Sequence, residues 1–395
     1  MIRLASKNQC TGCAACQQVC GQQAISMVED TEGFRFPYID KERCVECHLC
    51  EKTCPVITIH ENNNFANPEV YAMWSNKDRR VSSSGGAFSA FARVIINKGG
   101  VVFGAYLDED MILRHIGIDS LDDLEKLRGS KYLQSELNNT FVEIKGELKK
   151  DKYVLFCGTP CQVAGLKTYL RVGYDKLYTL DLTCHGVPSV KIFNSYLDKL
   201  KTRHGSLKIK GIEFRRRDGW GFAPSILTSH KFIRIYDEDN LYMCAFDKAA
   251  IFRKSCANCQ FAKIQRQGDC MIADFWGIGR HGKPFKKSTL KGVSLVFINN
   301  DKGASLFNEI NDCYVEKRTL EEAIIENFNI THPSRIEPRR DEIIKAFLNP
   351  ALSLGDIDKK FNLVDHSLKG KIKKYASKYH IFDAVKVIYN FYKTL

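Results

Sequence analysis

Cys10-Thr11-Gly12-Cys13-Ala14-Ala15-Cys16-Gln17-Gln18-Val19-Cys20 and, further on, Cys44-Val45-Glu46-Cys47-His48-Leu49-Cys50-Glu51-Lys52-Thr53-Cys54 carry one cysteine spacing, displaced by 34 residues. A repeat of this kind is read before local propensity, because it defines a structural unit. Three closely spaced thiolates wrap three irons of a cubane, and the fourth cysteine of such a run reaches the other cluster. The spacing therefore assigns Cys10, Cys13, Cys16 and Cys54 to one 4Fe-4S cluster, and Cys44, Cys47, Cys50 and Cys20 to a second. The second run closes on Cys54-Pro55 and the first on Cys20-Gly21, a departure that leaves the ligands intact. Structural zinc fits less well, since it favours paired Cys-x-x-Cys knuckles over two four-cysteine runs.

The composition around this repeat agrees with it. At 395 residues, 44% hydrophobic and 27% charged, the chain is too rich in core formers to be disordered, and its length suggests roughly two to three domains. No stretch approaches the ~18 apolar residues of a membrane span, and Met1 to Gln9 lacks the apolar run of a signal peptide, so a cytoplasmic protein is expected. A reducing cytosol does not maintain disulfides among sixteen cysteines, which points to metal-bound thiolates. The net charge of +13 ordinarily suggests an acidic partner. Ligated clusters carry about −2 each, so three of them reduce it to about +7. The basic residues are also dispersed rather than gathered with stacking aromatics, so no nucleic-acid partner is expected.

Gly33-Phe34-Arg35-Phe36-Pro37, between the two runs, reads as a short strand and turn, and the polar run His60-Glu61-Asn62-Asn63-Asn64 as a linker. Beyond it the pattern alternates. Val70 to Trp74 and Val101 to Ala105 read as strands, with an apolar-periodic helix from Gly85 to Asn97 between them. Tyr153 to Phe156 is a buried strand, after which Thr159 can cap a helix opened by Pro160. Leu177 to Leu182 is another, followed by a helix capped by Ser189. Such units predict a mixed α/β fold in which ligands gather where strands end and helices begin. From about Asp341 onward the chain reads as helical.

Three further signals carry alternatives. Cys161 opens a helix after a strand, Cys184 follows a strand, and Cys256 and Cys259 form a lone Cys-x-x-Cys. Four thiolates from three loops suit a third cluster. Equally, Cys157, Cys161 and Cys184 suit buried small hydrophobes, and the Cys-x-x-Cys suits zinc or redox thiols. Val81-Ser82-Ser83-Ser84-Gly85-Gly86-Ala87, leading into a helix, suits a phosphate at the helix N-terminus, or an ordinary serine cap. Lys131 and Tyr132, in Arg128-Gly129-Ser130-Lys131-Tyr132, add a phosphate partner and a stacking ring, or a plain surface loop.

Taken in order, Ser83-Ser84-Gly85-Gly86, Gly129-Ser130-Lys131-Tyr132, Gly158-Thr159-Pro160-Cys161-Gln162, Cys184-His185-Gly186, Cys256-Ala257-Asn258-Cys259, and Asp269 through Asp274-Phe275-Trp276-Gly277 resemble the coenzyme F-420 hydrogenase/dehydrogenase beta-subunit family. The resemblance runs from about residue 66 to 345, and a bacterial-type 2x(4Fe-4S) ferredoxin module at the N-terminus is a familiar variant. It implies a flavin, here FAD, beside a third 4Fe-4S cluster held by Cys161, Cys184, Cys256 and Cys259. Cys157, Cys244, Cys270 and Cys313 match no ligand position. It implies FAD contacts from Ser83, Ser84, Gly85, Gly86, Lys131, Tyr132, Gly158, Thr159, Pro160, Gln162 and Asp274. His185, beside a ligand and near neutrality in its ordinary pKa, is the candidate proton donor, or a loop histidine satisfied by backbone. Asp274 suits a ribityl or ribose hydroxyl, or a turn cap. Relatives with fused ferredoxins also occur without deazaflavin, including in surface-polysaccharide gene clusters, so family and substrate stay apart.

The expected organisation is a dicluster ferredoxin-like module over 1–60, then a mixed α/β flavin and iron-sulfur domain. That domain has an N-terminal part over 66–150 and a C-terminal part with the third cluster over 151–345. A basic helical tail follows over 346–395. From Lys369 to Leu395 the tail suits either an anionic membrane surface or an apolar face packed on its own domain. The expected activity is an oxidoreductase that takes electrons from ferredoxin or a similar donor protein and delivers them through FAD to a small organic substrate. The alternatives are a non-catalytic electron-transfer subunit of a larger redox complex, or a deazaflavin-linked dehydrogenase/hydrogenase subunit. Twelve predicted ligands imply about twelve irons per chain after anaerobic purification. Iron near eight with zinc near one would remove the third cluster.

Overall fold

The computed structural model describes residues 2–58, 62–205, 207–215, 220–229 and 231–368, with Gly370 and Tyr375. Nearly all of the tail from Lys369 to Leu395 lies outside these residues, and with it the choice between membrane and self-packing.

The N-terminal module is small. Its elements are α1 (Ala15–Gln18), the antiparallel hairpin of β1 (Ile25–Glu29) and β2 (Arg35–Ile39), and α2 (Leu49–Thr53). The strand read at Gly33 to Pro37 is β2, set two residues later because Asp30 closes the hairpin turn by accepting from the N–H groups of Glu32 and Phe34.

The larger part is built on β3 (Glu69–Ser75), α3 (Ala87–Asn97), β4 (Val101–Leu107), β5 (Leu113–Ile118), α4 (Leu124–Leu127), α5 (Thr140–Lys149), β6 (Val154–Gly158), α6 (Pro160–Leu170), β7 (Leu177–Leu182) and α7 (Val190–Arg203). A three-stranded antiparallel sheet of β8 (Gly211–Arg215), β9 (Phe222–Leu227) and β10 (Phe232–Arg234) follows, then α8 (Leu241–Asp247). The chain returns to the main sheet with β11 (Cys270–Asp274), β12 (Ser294–Ile298), α9 (Asp301–Asn308) and β13 (Cys313–Arg318). It closes its described part with α10 (Leu320–Ile325), α11 (Arg340–Leu348) and α12 (Leu354–Phe361).

The main sheet has eight strands in the order β13-β3-β12-β11-β7-β6-β4-β5. Its centre, β4-β6-β7-β11, is parallel, and the outer pairings are antiparallel. β6 is buried along its whole length, as its unbroken Val-Leu-Phe-Cys-Gly run requires of a strand covered on both faces. The expected mixed α/β architecture with a ferredoxin-like module is what the structure has.

The module is fused to the body rather than tethered. Phe34 is fully buried in the same core as Phe193, Tyr196, Tyr242 and Phe252, while Cys13 and Ala15 sit in a second core with Phe141 and Leu166. Ser189, which caps α7, also donates its hydroxyl to the carbonyl of Glu32, and Arg340 holds the Glu32 carboxylate. Gly33 is needed there: a Cβ on it would stand 2.3 Å from that of Lys191. The described part of the run read as a linker, Asn62 to Asn64, is likewise pinned. Asn64 is buried and its amide donates to the carbonyls of Arg266 and Gly268, both at 2.9 Å. Asparagine-rich sequence reads as loop, yet here its amides satisfy backbone carbonyls that water does not reach.

At the other end, α11 and α12 supply Ile343, Phe347, Ile357 and Phe361 to the core that holds Phe34, so residues 340–364 pack as part of the body. Among the described residues, no helix is long and apolar enough to cross a membrane. Phe34→Ala removes a core ring of a kind whose loss costs about 3–5 kcal/mol. It should lower the denaturation midpoint of the whole chain, followed by far-UV circular dichroism. A midpoint equal to wild type would mean that the module is docked loosely.

Candidate functional site

A cavity of about 280 Å³ opens at the carboxyl ends of β6, β7 and β11, the place where parallel strands leave room for a ligand. It gathers Ser83, Ser84, Gly86, Lys131, Tyr132, Gly158, Thr159, Gln162, His185 and Asp274 from separate chain segments. Gly85 and Pro160 are outside its lining. Gly85 serves packing instead: a Cβ on it would stand 2.3 Å from the carbonyl oxygen of Met73 and 2.6 Å from the amide nitrogen of Ser294. Pro160 is the buried first residue of α6.

The serine run does not cap α3. Gly86 occupies the N-cap position at φ 87°, and no side chain hydrogen-bonds the first turn. The N–H groups of that turn therefore lack the usual side-chain acceptor and face a region favourable to anions. Ser83 accepts from the N–H of Ser130 at 3.0 Å, and Ser84 donates to the carbonyl of Val293 at 3.1 Å, so both hydroxyls hold the loop closed. Thr159 and Gln162 form a capping box on α6, and the Gln162 amide donates to Ser135 at 2.8 Å, which engages both of its polar ends.

Three cations line the cavity. Arg128 is drawn to Asp78, which also takes Arg93. Burial alone would raise the Asp78 carboxyl, but Arg93 and Arg128 hold it below its ordinary value. Lys131 donates to the carbonyls of Leu127 and Arg128 at 2.9 and 2.7 Å, and burial pushes its ammonium down to about 7. Arg215 grips Asp274 through two hydrogen bonds of 2.8 and 3.2 Å and donates to the Tyr132 hydroxyl at 3.0 Å. Asp274 also accepts from the Trp220 indole, so its carboxylate is held by the protein.

Tyr132 meets Phe214 and Phe246 edge-on, with centroids 5.7 and 4.8 Å away. The stacked rings are Trp220 and Trp276, 4.6 Å apart, with Trp276 facing the cavity. His185 reaches the cavity and its pKa is lowered by desolvation, opposed by the charge of Asp274 and reinforced by that of Arg215. His115, also on the wall, is held near 4 by burial, has no partner at Nδ1 among the described residues, and meets the Cys157 carbonyl through Nε2. Sequence reasoning misses both Arg215 and His115. Arg215 hides in an Arg-Arg-Arg-Asp run that reads as surface charge, and His115 in an unremarkable edge strand.

The thiols fall into groups. Cys184 is raised well above its ordinary value by burial first, then by Cys256, Cys161 and Cys259. Burial also pushes Cys161 up to about 11 and Cys256 up to about 12. Cys13 is pushed up to about 12 by burial, with Cys10, Cys161 and Cys54 adding to it. Cys16 is raised by burial and by Cys13, Cys10, Cys54 and Cys50. Buried thiols that repel one another's ionisation are a poor arrangement for an empty site and a fitting one for iron, which deprotonates its ligands outright. Among the described residues no three ligand side chains converge on one ion, and a cubane does not ask for that, because each thiolate takes a different iron. Cys244 lies on α8 and Cys313 on β13, away from both groups, and Cys270 is core on β11.

Residues 9–57 match the family model of the 4Fe-4S dicluster domain. Residues 151–323 match that of the C-terminal part of the coenzyme F-420 hydrogenase/dehydrogenase beta subunit. Both matches bear out the resemblance carried by the motifs. No curated protein matches the chain. A solved structure of the F-420-reducing nickel-iron hydrogenase complex from Methanosarcina barkeri, a xenon derivative, contains a chain 15% identical to this one. The two align over 78% of this chain and 95% of that one, with a TM-score of 0.45. The chain thus joins an iron-sulfur electron-transfer module to a segment related to the hydrogenase/dehydrogenase beta subunit.

Two substitutions test the geometry. Cys259→Ser should erase one cluster signal in low-temperature EPR and spare the N-terminal pair; unchanged spectra would show the ligand set to be wrong. Ala105→Phe sends a ring into the cavity without removing a hydrogen bond, at a strain of about 1–3 kcal/mol. The folded variant should copurify with severalfold less cavity ligand at unchanged iron. Equal ligand content would place the binding site elsewhere.

Proposed function

We propose that the chain is an iron-sulfur flavoprotein oxidoreductase. It takes single electrons from ferredoxin or a similar donor, passes them through the N-terminal clusters to a third cluster at Cys161, Cys184, Cys256 and Cys259, and delivers them to a small organic substrate in the cavity. The observation that carries this reading is continuity. Cys47 is exposed, Cys16 feels both Cys50 and Cys54, Cys13 feels both Cys54 and Cys161, and Cys184 lies on the cavity wall. An electron path from solvent to cavity would run along these neighbouring thiols.

FAD would supply the exchange between single electrons and a two-electron reduction. The residues that would hold it are the first turn of α3 for the pyrophosphate, Arg128 and Lys131 for its charge, and Trp276 for an aromatic ring. Burial lowers the pKa of His185 and the charge of Asp274 opposes that shift; from the cavity wall its ring would donate a proton to a substrate reduced there. The matched family, named for coenzyme F-420, favours a second reading in which a deazaflavin occupies the same cavity or a separate enzyme receives the electrons. Surface-polysaccharide chemistry is one source of a suitable organic substrate.

Point substitution tests this better than deletion of the module, which would strip Phe34 and Cys13 from two cores. Cys47→Ser, at the exposed ligand, should abolish bleaching of the bound flavin by reduced ferredoxin in stopped-flow while dithionite still bleaches it. Full ferredoxin-driven bleaching would sink the relay. Turnover of an organic substrate by the purified chain supports the enzyme reading; strict dependence on a copurifying partner supports the alternative of an electron-transfer subunit.

A further inference from the structure

Five arginines are buried in the described residues: Arg215, Arg253, Arg266, Arg318 and Arg340. Four of them face a carboxylate, Arg215 with Asp274, Arg266 with Asp181, Arg318 with Glu322 and Arg340 with Glu32. Arg253 does not. Only 1% exposed, it donates to the carbonyls of Cys10 and Arg35 at 2.7 and 3.0 Å and to the Gln134 side-chain oxygen at 3.3 Å, all neutral acceptors. The rings of Phe36 and Phe34 lie 4.1 and 5.6 Å from the guanidinium carbon. A guanidinium removed from water without a counter-charge is costly, and proteins bury such groups when an anion is at hand.

The position of Arg253 says which anion. Its carbonyl accepts the N–H of Cys256 at 3.0 Å, while its guanidinium fixes the loop of the first repeat through the Cys10 carbonyl. Gly12 lies directly over it: at φ +71°, a Cβ there would stand 3.1 Å from the guanidinium and 2.5 Å from Gln134. Next along the same loop, Cys13 packs against Gly165 of α6, the helix whose second residue is Cys161, so closely that a Cβ on Gly165 would be 3.1 Å from the Cys13 sulfur. The guanidinium is therefore wedged between two cysteine groups.

We infer that Arg253 is a positioning residue whose buried charge is shared by the first and third clusters, serving both as their common counter-cation and as the setting for their potentials. This rests on the third cluster of the proposed function. Each cluster gains one negative charge when it gains one electron, so a fixed cation between them favours the reduced member of both couples. It eases the single-electron step from one cluster to the next, because the charge that leaves the first remains beside the same arginine on reaching the third. The second cluster, held through Cys44, Cys47, Cys50 and Cys20, lies outside the contacts that Arg253 makes among the described residues.

The test is an EPR-monitored redox titration of the anaerobically purified full chain, with signals assigned through Cys259→Ser. In Arg253→Gln, the reduced-to-oxidised ratio of the first and third clusters at a fixed potential should fall about tenfold, about 59 mV for a one-electron couple, while the second is unmoved. Arg253→Lys, which keeps the charge and loses the fork, should stay near wild type. Unmoved midpoints in the glutamine variant, or equal shifts in both variants, overturn the inference. Should the glutamine variant fail to hold the two clusters while the lysine variant holds them, the charge is again the cause. Equal loss in both, with wild-type circular dichroism, assigns Arg253 to packing alone and overturns the inference. Iron near eight in the wild-type chain is a different failure: it removes the third cluster, and the shift of the first cluster in Arg253→Gln is still read.

Discussion

A buried thiol resists ionisation, and thiols buried side by side resist it together. Cys184, among Cys161, Cys256 and Cys259, is the clearest case, and Cys16, among Cys10, Cys13, Cys54 and Cys50, repeats it in the module. The chain meets this constraint in three ways. Cys161 occupies the second position of α6, where the helix dipole favours a thiolate. Backbone amides turn toward sulfur, as that of Ala24 does toward Cys20 at 3.3 Å. Buried guanidinium groups stand close by, Arg253 beside Cys161 and Cys256, and Arg266 beside Cys259. Each device stabilises negative sulfur, which is what thiolate ligands around iron require.

The same constraint explains why the module is not a detachable bead. Clusters exchange electrons only at short range, so the loops that hold them must be fixed against one another. Thr168 of α6 donates its hydroxyl to the carbonyl of Thr53 in α2, the N–H of Phe141 at the start of α5 donates to Gln18 of α1, and Gln260, next to Cys259, donates to the carbonyl of Pro55. These bonds join residues beside the first two cysteine runs to residues of the body, one of them beside the last cysteine pair. Apolar burial of Phe34 and Cys13 supplies the driving force, and the polar contacts supply the register.

Much of this was legible in the sequence, and what was hidden shares one cause. The repeat of Cys10 to Cys20 at Cys44 to Cys54 predicts that Cys54 joins the first run, and in the structure Cys54 stands close enough to bear on Cys13 and Cys16. The strand-turn-helix signals at Thr159 and Ser189 placed α6 and α7 to within a residue, because caps and proline act locally. Long-range polar contacts had no such local signature. Asn64 reads as linker because its carbonyl partners lie some two hundred residues away, and Arg253 reads as one more basic residue three places before a cysteine. Gly85 and Gly86 look like one phosphate motif, but only Gly86 faces the cavity; its neighbour is glycine because β3 and β12 leave no room for a Cβ.

The cavity wall shows what kind of ligand this arrangement suits. Its three cations are all held from behind: Arg128 by Asp78, Arg215 by Asp274, and Lys131 by two backbone carbonyls. Held groups need not reorganise when a ligand arrives, which raises what each contact contributes. They are also partly neutralised. Asp78 is shared between Arg93 and Arg128 and so offsets one charge of two, whereas Asp274 offsets Arg215 outright and burial leaves Lys131 poised near neutrality. The net field is therefore strongest at the end of the cavity formed by Arg128 and the uncapped first turn of α3, and it fades toward Trp276 and Phe222, where the lining is aromatic. A ligand with an anionic end and a flat ring matches that gradient in one orientation. Cys184 and His185, next to each other in the chain, line the same cavity, so a thiol and an imidazole stand side by side on the wall that such a ligand meets.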